Sequence, residues 1–234
     1  MKYAFVDFRI SEEEFINLSK LNCNIIKCEP CSKLYDAICG HPDILLHFLN
    51  DNTVIIHKDT SVEFETLLET LNINVIRSQK ALTDKYPHDI ILNGVNTNNF
   101  FMHNIPNTDP FLLEKVKHKV LIDVKQGYTK CSTVVINDSA FVTSDKSIHK
   151  ELFKKGYDVL LIEPGNIKLP GLNYGFIGGT CGMLNHNTIV FYGSLEYHPQ
   201  KQEIINFLHK YNITPIYLTD EPLIDRGSIF FVDL

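Results

Sequence analysis

One unit of a repeated pattern occupies residues 120–142, which read VLIDVKQGYTKCSTVVINDSAFV. The unit begins with an apolar, β-prone run, and a connector rich in turn residues follows it. Two further β-prone segments come next, separated by an Asn-Asp-Ser corner. Similar units, each preceded by a helix-like segment, recur roughly every 40 to 55 residues, a period typical of propellers and solenoids.

Five copies of the unit can be placed by their first strands and by the hairpins that follow. We predict first strands at 24–28, 74–78, 120–124, 159–163 and 214–218. We predict hairpins at 43–56, 89–102, 131–142 and 180–190, and a fifth that starts at residue 225 and ends after one strand, 229–232. Strand 2–7 can supply the missing partner, so that pairing of the N- and C-terminal strands closes a ring without exposed sheet edges.

The composition supports one α/β domain, 1–234, built as a five-bladed α/β propeller. A chain of 234 residues with 44% hydrophobic content can bury a single core. The net charge of -6 argues against nucleic acid or an anionic membrane as a partner, because both attract basic surfaces. No apolar run approaches the length of about 18 residues that a membrane helix needs. Since the N-terminus also enters a strand directly, we expect a cytoplasmic protein.

Polar residues mark the ends of several helix-like segments. Ser11 and Glu14 have the spacing of a capping box ahead of an apolar run. Asn22, Asn72 and Asn212 stand where a left-handed residue commonly ends a helix. The helices are therefore expected to be scaffold, and functional residues are expected in the connectors between first strand and hairpin.

The cysteines allow a metal or redox interpretation that we do not favour. Cys28-Glu-Pro-Cys31 has the spacing of redox and zinc motifs, and Cys39 and His41 could complete a zinc site. The repeat pattern already explains these residues, and free thiols in a reducing cytosol are commonly buried as small hydrophobic groups. We therefore expect structural cysteines here.

Polar and thiol side chains occupy equivalent positions in the five connectors. Counted back from the hairpin corners, these positions hold Asp43, Asp89, Cys131, Thr180 with Cys181, and Asp225. In a closed ring equivalent positions converge on the axis, so these side chains are expected to share a central cavity. Three carboxylates in one place favour a bound cation, and His41 adds an acid/base group at the rim. The alternative is that these aspartates and the histidine cap turns.

Three short motifs resemble those of the pentein superfamily of guanidino-group-modifying enzymes, which includes arginine deiminases, agmatine deiminases, amidinotransferases and dimethylarginine dimethylaminohydrolases. Segment 127–137 is similar to the one that carries the family's cysteine nucleophile. His41-Pro-Asp43 is similar to its His-x-Asp motif. Asp225-Arg-Gly-Ser228 resembles its acidic-x-Gly-Asp turn, with Asp in place of Glu and Ser in place of Asp.

The order of these motifs departs from that of the familiar enzymes, in which the acidic turn comes first, the histidine next and the cysteine near the C-terminus. Here the order holds when the ring is read circularly, from Asp225 across the termini to His41 and on to Cys131. The resemblance therefore indicates a circularly permuted pentein. The unit with residues 176–180 also lacks the acidic-plus-arginine pair that the family uses for substrate contacts.

The resemblance implies cysteine-dependent hydrolysis or deimination of a small guanidino compound through a covalent amidino-thioester, without a metal or another cofactor. Cys131 would be the nucleophile and His41 the general acid/base. The implied substrate-binding residues are Asp43, Asp89, Asp225, Arg226 and Thr180. The expected partner is a small cationic ligand that carboxylates hold through paired hydrogen bonds.

Other interpretations stay open. Cys131 begins an apolar strand and could be a buried hydrophobic residue. Cys181, in a glycine-rich segment, is a rival nucleophile, and His88, next to Asp89, is a rival base. The chain could also be a non-catalytic pentein-fold module that binds a small molecule or a protein. A homo-oligomer is compatible with the sequence, which does not identify a substrate.

Overall fold

The computed structural model describes all 234 residues, with fifteen β-strands and six α-helices. The strands are β1 (Lys2–Asp7), β2 (Asn24–Cys28), β3 (Leu46–Asn50), β4 (Thr53–Ile56), β5 (Asn74–Arg77), β6 (Val95–Asn96), β7 (Phe100–His103), β8 (Val120–Asp123), β9 (Thr133–Asn137), β10 (Ala140–Thr143), β11 (Asp158–Leu161), β12 (Cys181–Asn185), β13 (Thr188–Phe191), β14 (Thr214–Tyr217) and β15 (Phe230–Asp233). The helices are α1 (Glu12–Ser19), α2 (Pro42–Leu45), α3 (Val62–Thr70), α4 (Pro110–Val116), α5 (Lys146–Lys154) and α6 (Lys201–Lys210). Short 3-10 turns lie at Ile105–Asn107, Ile177–Thr180 and Leu195–Tyr197. None of the helices has both the length and the apolar character required to cross a bilayer.

The strands form five three-stranded sheets with one shared topology. The strand orders are β15-β1-β2, β3-β4-β5, β6-β7-β8, β9-β10-β11 and β12-β13-β14. In every sheet the middle strand pairs antiparallel with one neighbour and parallel with the other. A helix connects the two parallel strands each time, because parallel strands need a crossover connection. The five-fold repeat and the α/β class predicted from the sequence are confirmed.

The two chain ends meet in one of these sheets. β1 pairs antiparallel with β15, so that Lys2 lies opposite Asp233 and Phe5 opposite Phe230. The Lys2 ammonium lies 2.7 Å from the Asp233 carboxylate. The predicted pairing of the first and last strands is confirmed. Each sheet nevertheless stays an open, three-stranded sheet, because no ladder of hydrogen bonds joins one sheet to the next.

The middle strands carry much of the core. Nearly all residues of β4, β7, β10 and β13 are buried, which explains why these segments are continuous apolar runs and do not alternate with polar residues. The helices add one apolar stripe each, such as Ile148 and Leu152 of α5 and Ile204, Phe207 and Leu208 of α6. Each fully buried side chain of this kind contributes about 1.5–3 kcal/mol. The stabilisation is therefore distributed over all five units.

The predicted helix ends are confirmed where polar residues mark them. The Ser11 Oγ accepts a hydrogen bond from the Glu14 N–H at 3.2 Å, and the Ser11 N–H donates to the Glu14 carboxylate at 2.8 Å. Asn22, Asn72 and Asn212 have φ angles of 56°, 61° and 57°. Asparagine tolerates this left-handed conformation better than most residues.

The inner strands begin later than the sequence predicts. Asp43 lies in the short helix α2, whose first residue is Pro42, and β3 begins only at Leu46. Proline is preorganised for the first turn of a helix, so the chain turns here before it extends. Asp89 and Cys131 likewise lie in turns ahead of β6 and β9. The predicted site residues therefore occupy connectors, where side-chain direction is free of the strand alternation.

Candidate functional site

A cysteine, a histidine and an aspartate from distant parts of the chain meet in the interior. The Cys131 Sγ lies 3.0 Å from each carboxylate oxygen of Asp43. Potential ligand atoms of His41, Asp43 and Cys131 all lie within 4.8 Å of one another. None of the three residues is more than 2% exposed. We call these three residues the Cys131 cluster; their convergence is the geometry that the repeat pattern predicts.

The Cys131 cluster offers one sulfur, one nitrogen and one oxygen donor. Zinc sites in proteins use thiolate, imidazole and carboxylate ligands, and three protein ligands leave a fourth tetrahedral position for water or substrate. The same groups also suit covalent catalysis, with a thiolate as nucleophile and a histidine as proton carrier. The cluster can therefore hold a cation in two ways, as a metal ion or as a charged organic ligand.

Asn93 joins the two segments that carry Asp43 and Cys131. Its Nδ2 donates to the Asp43 carbonyl oxygen at 2.8 Å and lies 3.4 Å from the Cys131 Sγ. Its Oδ1 accepts from the backbone N–H groups of Lys130 at 2.8 Å and of Cys131 at 3.2 Å. Because both ends of this fully buried amide are satisfied, the thiol and the carboxylate have a fixed relative position.

Ser228 contacts the other side of the Asp43 carboxylate. Its hydroxyl donates to the Asp43 Oδ2 at 2.6 Å and accepts from the Lys130 ammonium at 2.9 Å. Ser228 has a φ of 71°, which is uncommon for a residue with a side chain. Backbone strain of this kind persists only where the surrounding contacts hold it, and such residues cluster at functional sites.

Asp225 lies opposite His41 and is held by main-chain donors. The Phe176 N–H donates to Oδ2 at 2.8 Å, and the Gly227 N–H donates to Oδ1 at 3.0 Å. Oδ1 also lies 3.8 Å from the His41 Nδ1. Burial raises the pKa of the Asp225 carboxyl and the neighbouring Asp43 charge adds to this, whereas His41 opposes the shift.

Three glycines make room for Asp225 and His41. A Cβ at Gly179 would lie 1.9 Å from the Asp225 Oδ1, and one at Gly175 would lie 2.4 Å from the Asp225 Cβ. A Cβ at Gly227, which has a φ of 72°, would lie 2.2 Å from the His41 Cβ. Only glycine permits such close approach, and at Gly227 also the left-handed backbone.

His41 keeps both ring nitrogens without a hydrogen-bond partner in the protein, although both are buried. Most buried polar atoms are paired with protein groups or water, so these nitrogens are free to meet a ligand or a water molecule in the adjoining cavity. A neutral imidazole has one donor and one acceptor, which suits a group that carries a proton between reactants. The rival base His88 is exposed at the surface.

The Cys131 thiol is held in its neutral form. Burial raises its pKa well above the ordinary value, and the charges of Asp43 and Asp225 raise it further. At neutral pH the thiol therefore donates to the Asp43 carboxylate. A cation beside the sulfur would favour the thiolate, so the nucleophilicity of this site depends on a positive ligand.

A cavity of about 270 Å³ adjoins the Cys131 cluster, and we call it the His41 cavity. Its polar wall consists of His41, Cys131 and Asp225. The other lining residues are mostly aromatic or aliphatic and comprise Tyr35, Ile38, Tyr128, Leu169, Leu172, Asn173, Tyr174 and Phe176. A cavity of this size can hold a small organic molecule with one end at the thiol.

Asp89 supports the wall of this cavity and does not line it. Its Oδ2 accepts a hydrogen bond from the Tyr128 hydroxyl, which lies 3.1 Å from the Tyr35 hydroxyl. Burial raises the pKa of the Asp89 carboxyl and also raises that of the Tyr128 phenol. In this structure Asp89 therefore contacts the cavity only through Tyr128, and its predicted contact with a ligand stays a prediction.

Arg226 and Thr180 do not line the cavity either, and their predicted role in substrate binding stays a prediction. The Arg226 guanidinium pairs with the Glu14 carboxylate at 3.0 Å and donates to the Arg9 carbonyl oxygen at 3.1 Å. The Thr180 hydroxyl donates to the Ile177 carbonyl oxygen at 2.7 Å. Both side chains are thus engaged in structural contacts, one with helix α1 and one within a 3-10 turn.

The rival nucleophile Cys181 lines a different cavity, of about 250 Å³, which we call the Lys130 cavity. Burial raises the pKa of the Cys181 thiol to about 12. His47 also lines this cavity, and burial lowers its pKa to about 4, so that it is neutral at pH 7. Most of the other lining residues are apolar, and none is a carboxylate.

No other cysteine lines the His41 cavity or the Lys130 cavity. All six cysteines are free. Cys28 and Cys31 belong to the largest hydrophobic core cluster. They contribute to packing, as the structural interpretation of the Cys-x-x-Cys spacing predicts.

Several residues of the site were not identified as such from the sequence. Asn93 follows an apolar run and looks like the end of a strand, and only its polar character beside Lys130 and Cys131 in space reveals its role. Ser228 ends the turn motif that begins at Asp225, so a signal for it existed. Tyr128 lies within the nucleophile-like segment 127–137 but carries no spacing that points to a cavity wall.

The chain belongs to a family of unknown function, DUF6873, whose sequence model matches residues 5–230. A sequence search found no significant match among curated proteins. Solved structures do match. An amidinotransferase of the saxitoxin biosynthetic pathway from Microseira wollei is 9% identical, with a TM-score of 0.54 over 87% of this chain and 72% of that one. The inosamine-phosphate amidinotransferase of Streptomyces griseus is 10% identical, with a TM-score of 0.55 over 90% of this chain and 76% of that one.

The DDAH of Pseudomonas aeruginosa, in a cysteine-to-serine mutant complexed with citrulline, is 11% identical. Its TM-score is 0.54, and the match covers 92% of each chain. Identities this low establish the fold alone. The fold is that of the pentein superfamily, so the resemblance inferred from three short sequence motifs is confirmed at this level.

Proposed function

We propose that this protein modifies a small guanidino compound by cysteine-dependent hydrolysis or deimination at the Cys131 cluster, through a covalent amidino-thioester. The observation that carries the proposal is the position of one thiol, one imidazole and one carboxylate on the polar wall of a single cavity. The structural neighbours, two amidinotransferases and a DDAH, support this general kind of reaction. Cys131 is the proposed nucleophile, His41 the proton carrier and Asp225 the anchor for the cation.

Binding of the cation comes first in this scheme. A guanidinium offers planar, paired N–H donors that match a carboxylate. Asp225 lines the cavity and can receive them, while its other lone pairs stay occupied by the N–H groups of Phe176 and Gly227. The ligand's charge offsets the negative potential of Asp225 and Asp43 at the sulfur, so the pKa of the Cys131 thiol falls when the substrate is bound.

The chemical steps then need no component beyond the ligand and water. His41 takes the thiol proton, and the sulfur attacks the guanidinium carbon to form a tetrahedral adduct. One nitrogen leaves with the proton that His41 returns, which yields the amidino-thioester. His41 then takes a proton from water as the water attacks the same carbon, and the sulfur departs. Loss of ammonia leaves a substituted urea, whereas loss of the substituted amine leaves urea.

The remaining role of Asp43 follows from its contacts. It accepts from the Cys131 thiol and from the Ser228 hydroxyl, so it holds the thiol proton until a cation arrives. In this scheme Asp43 suppresses reaction of the sulfur with other electrophiles in the empty site. The scheme also takes the five sheets as blades of a closed, circularly permuted propeller in a cytoplasmic protein, with the Cys131 cluster at its hub.

Chloroacetamidine tests the proposal, because it carries an amidinium next to an alkylating carbon. We expect it to label Cys131 in preference to the other five thiols, as followed by peptide mass spectrometry at pH 7. The matched control is 2-chloroacetamide, which has nearly the same shape and no charge, and which should label Cys131 at least about tenfold more slowly, the effect of one unit of thiol pKa. A guanidine ligand should protect Cys131. Labelling with and without a metal chelator checks that no bound metal ion blocks the sulfur.

Uniform and slow labelling of all six thiols by both reagents would contradict the proposal. That outcome supports the second candidate, a non-catalytic module that binds a cation. The raised pKa of Cys131 favours this candidate, because a thiol kept neutral by burial and by two nearby carboxylates is a poor nucleophile. A ligand that raises the melting temperature without being consumed would establish it.

A further inference from the structure

Apart from His41, the wall of the His41 cavity carries no cationic side chain that could pair with an anion. The ionisable side chains of the lining are His41, Cys131, Asp225 and tyrosines, and no lysine or arginine is among them. An amino-acid substrate would bring a carboxylate into this space. The Asn173 amide and the tyrosine hydroxyls of the lining are neutral donors, and burial of a carboxylate without a cationic partner is unfavourable.

Three cationic residues are adjacent in sequence to residues that line the cavity, and each contacts another group. Lys130, next to Cys131, lines the other cavity and donates to Ser228. Arg226, next to Asp225, pairs with Glu14. Lys168, next to Leu169, lies 3.5 Å from the exposed Glu221 carboxylate. None of these three cations lines the His41 cavity.

The same wall is well suited to an apolar group. The Tyr128 and Phe176 rings stack with centroids 6.0 Å apart, and Tyr174 meets Phe176 edge to face. Leu172 and Tyr174 are 49% and 46% exposed, which places them at the mouth, whereas His41 and Cys131 are buried at the inner end. An elongated ligand therefore has its cationic end at the thiol and its other end along aromatic and aliphatic side chains.

From this asymmetry we infer that the substrate is a guanidine or amidine with an apolar alkyl or aryl substituent, and not a guanidino amino acid. The inference rests on the proposed function, because it assigns the cationic end to Cys131 and Asp225. Apolar area removed from water supplies the binding free energy of the substituent. The aromatic rings add attraction for the cationic head where they lie close to it.

A matched pair of ligands tests the inference on the full-length protein. Hexylguanidine and 6-guanidinohexanoate have the same number of chain carbons and differ at the far end, a methyl group against a carboxylate. We expect hexylguanidine to protect Cys131 from chloroacetamidine at a concentration at least about tenfold lower, since the unpaired carboxylate must keep its water. The rise in melting temperature should follow the same order. Turnover is measured as hexylurea with ammonium, or as hexylamine with urea.

Two variants at the mouth provide the internal control. Leu172→Lys places a cation beside the far end of the ligand. It should improve binding of 6-guanidinohexanoate and so narrow or reverse the preference for hexylguanidine. Leu172→Asp introduces the opposite charge, which repels the carboxylate of 6-guanidinohexanoate. It should therefore increase the preference for hexylguanidine. Because Leu172 is half exposed, neither change opens the core.

The outcomes separate this inference from the proposed function. Equal or better protection by 6-guanidinohexanoate in the unmodified protein overturns the inference and leaves the proposed function standing. Absence of protection and of any thermal shift with both guanidines overturns the proposed function, and the inference with it. Hexylguanidine that binds and protects without turnover supports the apolar specificity for the non-catalytic module.

Discussion

The His41 cavity and the Lys130 cavity have nearly equal volumes, about 270 and 250 Å³, and each is lined by one buried cysteine. Burial is the largest cause of the raised pKa of both thiols. The difference lies in their neighbours. Cys131 shares its wall with His41 and Asp225 and contacts Asp43. Cys181 shares its wall mostly with apolar residues, together with the neutral His47, Asn96 and the Lys130 ammonium, and with no carboxylate.

Burial and cavity size therefore do not distinguish the Cys131 thiol from the Cys181 thiol. A cation can enter the His41 cavity because carboxylates already hold negative potential there, and its arrival changes the state of the Cys131 sulfur. In the Lys130 cavity an added cation would meet the Lys130 ammonium. The two cavities therefore predict opposite responses to a cationic ligand, and each experiment below is a test of that contrast.

The largest contrast concerns the two thiols themselves. Cys131→Ser should reduce turnover of the guanidine substrate at least about 1000-fold, because it replaces the nucleophile with a much weaker one. Cys181→Ala should leave the activity of the folded fraction within about twofold, since its cavity has no part in the scheme. The measurement is kcat/KM with the concentration of folded protein determined by circular dichroism. Equal losses in the two variants would remove the distinction between the cavities.

A second contrast uses glycines that are packed against each cavity. Gly179→Ala would place a methyl group 1.9 Å from the Asp225 Oδ1, and Gly182→Ala would place one 2.0 Å from the Ile229 carbonyl oxygen. Both should destabilise the protein. Only Gly179→Ala should also lower the activity of the folded fraction, by about 100-fold, because small displacements of a positioning group cost that much.

The control for this pair is the denaturation midpoint of each variant, which reports the loss of stability separately from the loss of activity. If Gly182→Ala lowers the activity of the folded fraction as much as Gly179→Ala, the position of Asp225 does not limit the reaction. Restored labelling of Cys131 by chloroacetamidine at high reagent concentration would show that Gly179→Ala weakens cation binding and leaves the thiol in place.

The comparison also indicates what the sequence could and could not predict. The repeat, the parallel first strands and the pairing of the terminal strands follow from local apolar runs and turn residues, so periodicity alone locates them. The repeat also placed Asp43 and Cys131 at equivalent connector positions, with His41 two residues before Asp43, and the structure brings these three side chains together. These features depend on patterns that repeat along the chain.

Features that depend on side-chain direction were not predictable in this way. Asp89 occupies the equivalent connector position, yet its carboxylate accepts from Tyr128 behind the cavity wall. Arg226 is adjacent to Asp225 in sequence, but its longer side chain reaches Glu14. Local backbone conformation, such as the short helix that begins at Pro42, sets the direction of these side chains. The repeat pattern does not specify that conformation. The contrast between the two cavities is invisible in sequence for the same reason.

A smaller effect is expected from the carboxylate that contacts the thiol. Asp43→Asn removes a negative charge next to the Cys131 sulfur, so the pKa of the thiol should fall and its alkylation by neutral iodoacetamide at pH 7 should accelerate about tenfold per unit of pKa. Cys181 is the internal control, because Asp43 is not among the groups that shift its pKa. The pH profile of labelling, read by peptide mass spectrometry, should move to lower pH for Cys131 alone.

An unchanged profile for Cys131 would mean that burial by itself keeps the thiol neutral. The two cavities would then differ less than their neighbours suggest. Asp43→Leu removes the charge and also the side-chain acceptor for the Ser228 hydroxyl, which keeps the Gly178 carbonyl oxygen within 2.9 Å. Comparison with Asp43→Asn therefore separates the effect of the charge from that of the polar contact. Faster labelling in Asp43→Asn but not in Asp43→Leu would assign the effect to the remaining polar contact.

The smallest expected effect concerns the free energy of unfolding and the buried Asp89 carboxyl behind the wall of the His41 cavity. Burial raises the pKa of Asp89 in the folded protein above its unfolded value of about 3.9. Protonation therefore favours the folded state: the associated stability is present below pH 3.9 and is lost as the pH rises through the raised folded pKa. Asp89→Asn removes the titrating charge and keeps an oxygen to accept from Tyr128, so at pH 7 it should be more stable than the unmodified protein, by about 1 kcal/mol.

This advantage of Asp89→Asn should shrink as the pH falls toward 4, because the unmodified carboxyl becomes neutral and loses its penalty. Urea denaturation at several pH values between 4 and 8 measures the difference in the free energy of unfolding. Asp59→Asn is the control, because Lys33 lowers the pKa of that exposed carboxyl and the sign of its pH dependence is opposite. If the free energy of unfolding of Asp89→Asn, relative to the unmodified protein, instead rises toward low pH, the hydrogen bond from Tyr128 outweighs the effect of burial on the pKa of Asp89. The wall of the His41 cavity would then stabilise the fold, as the apolar wall of the Lys130 cavity does.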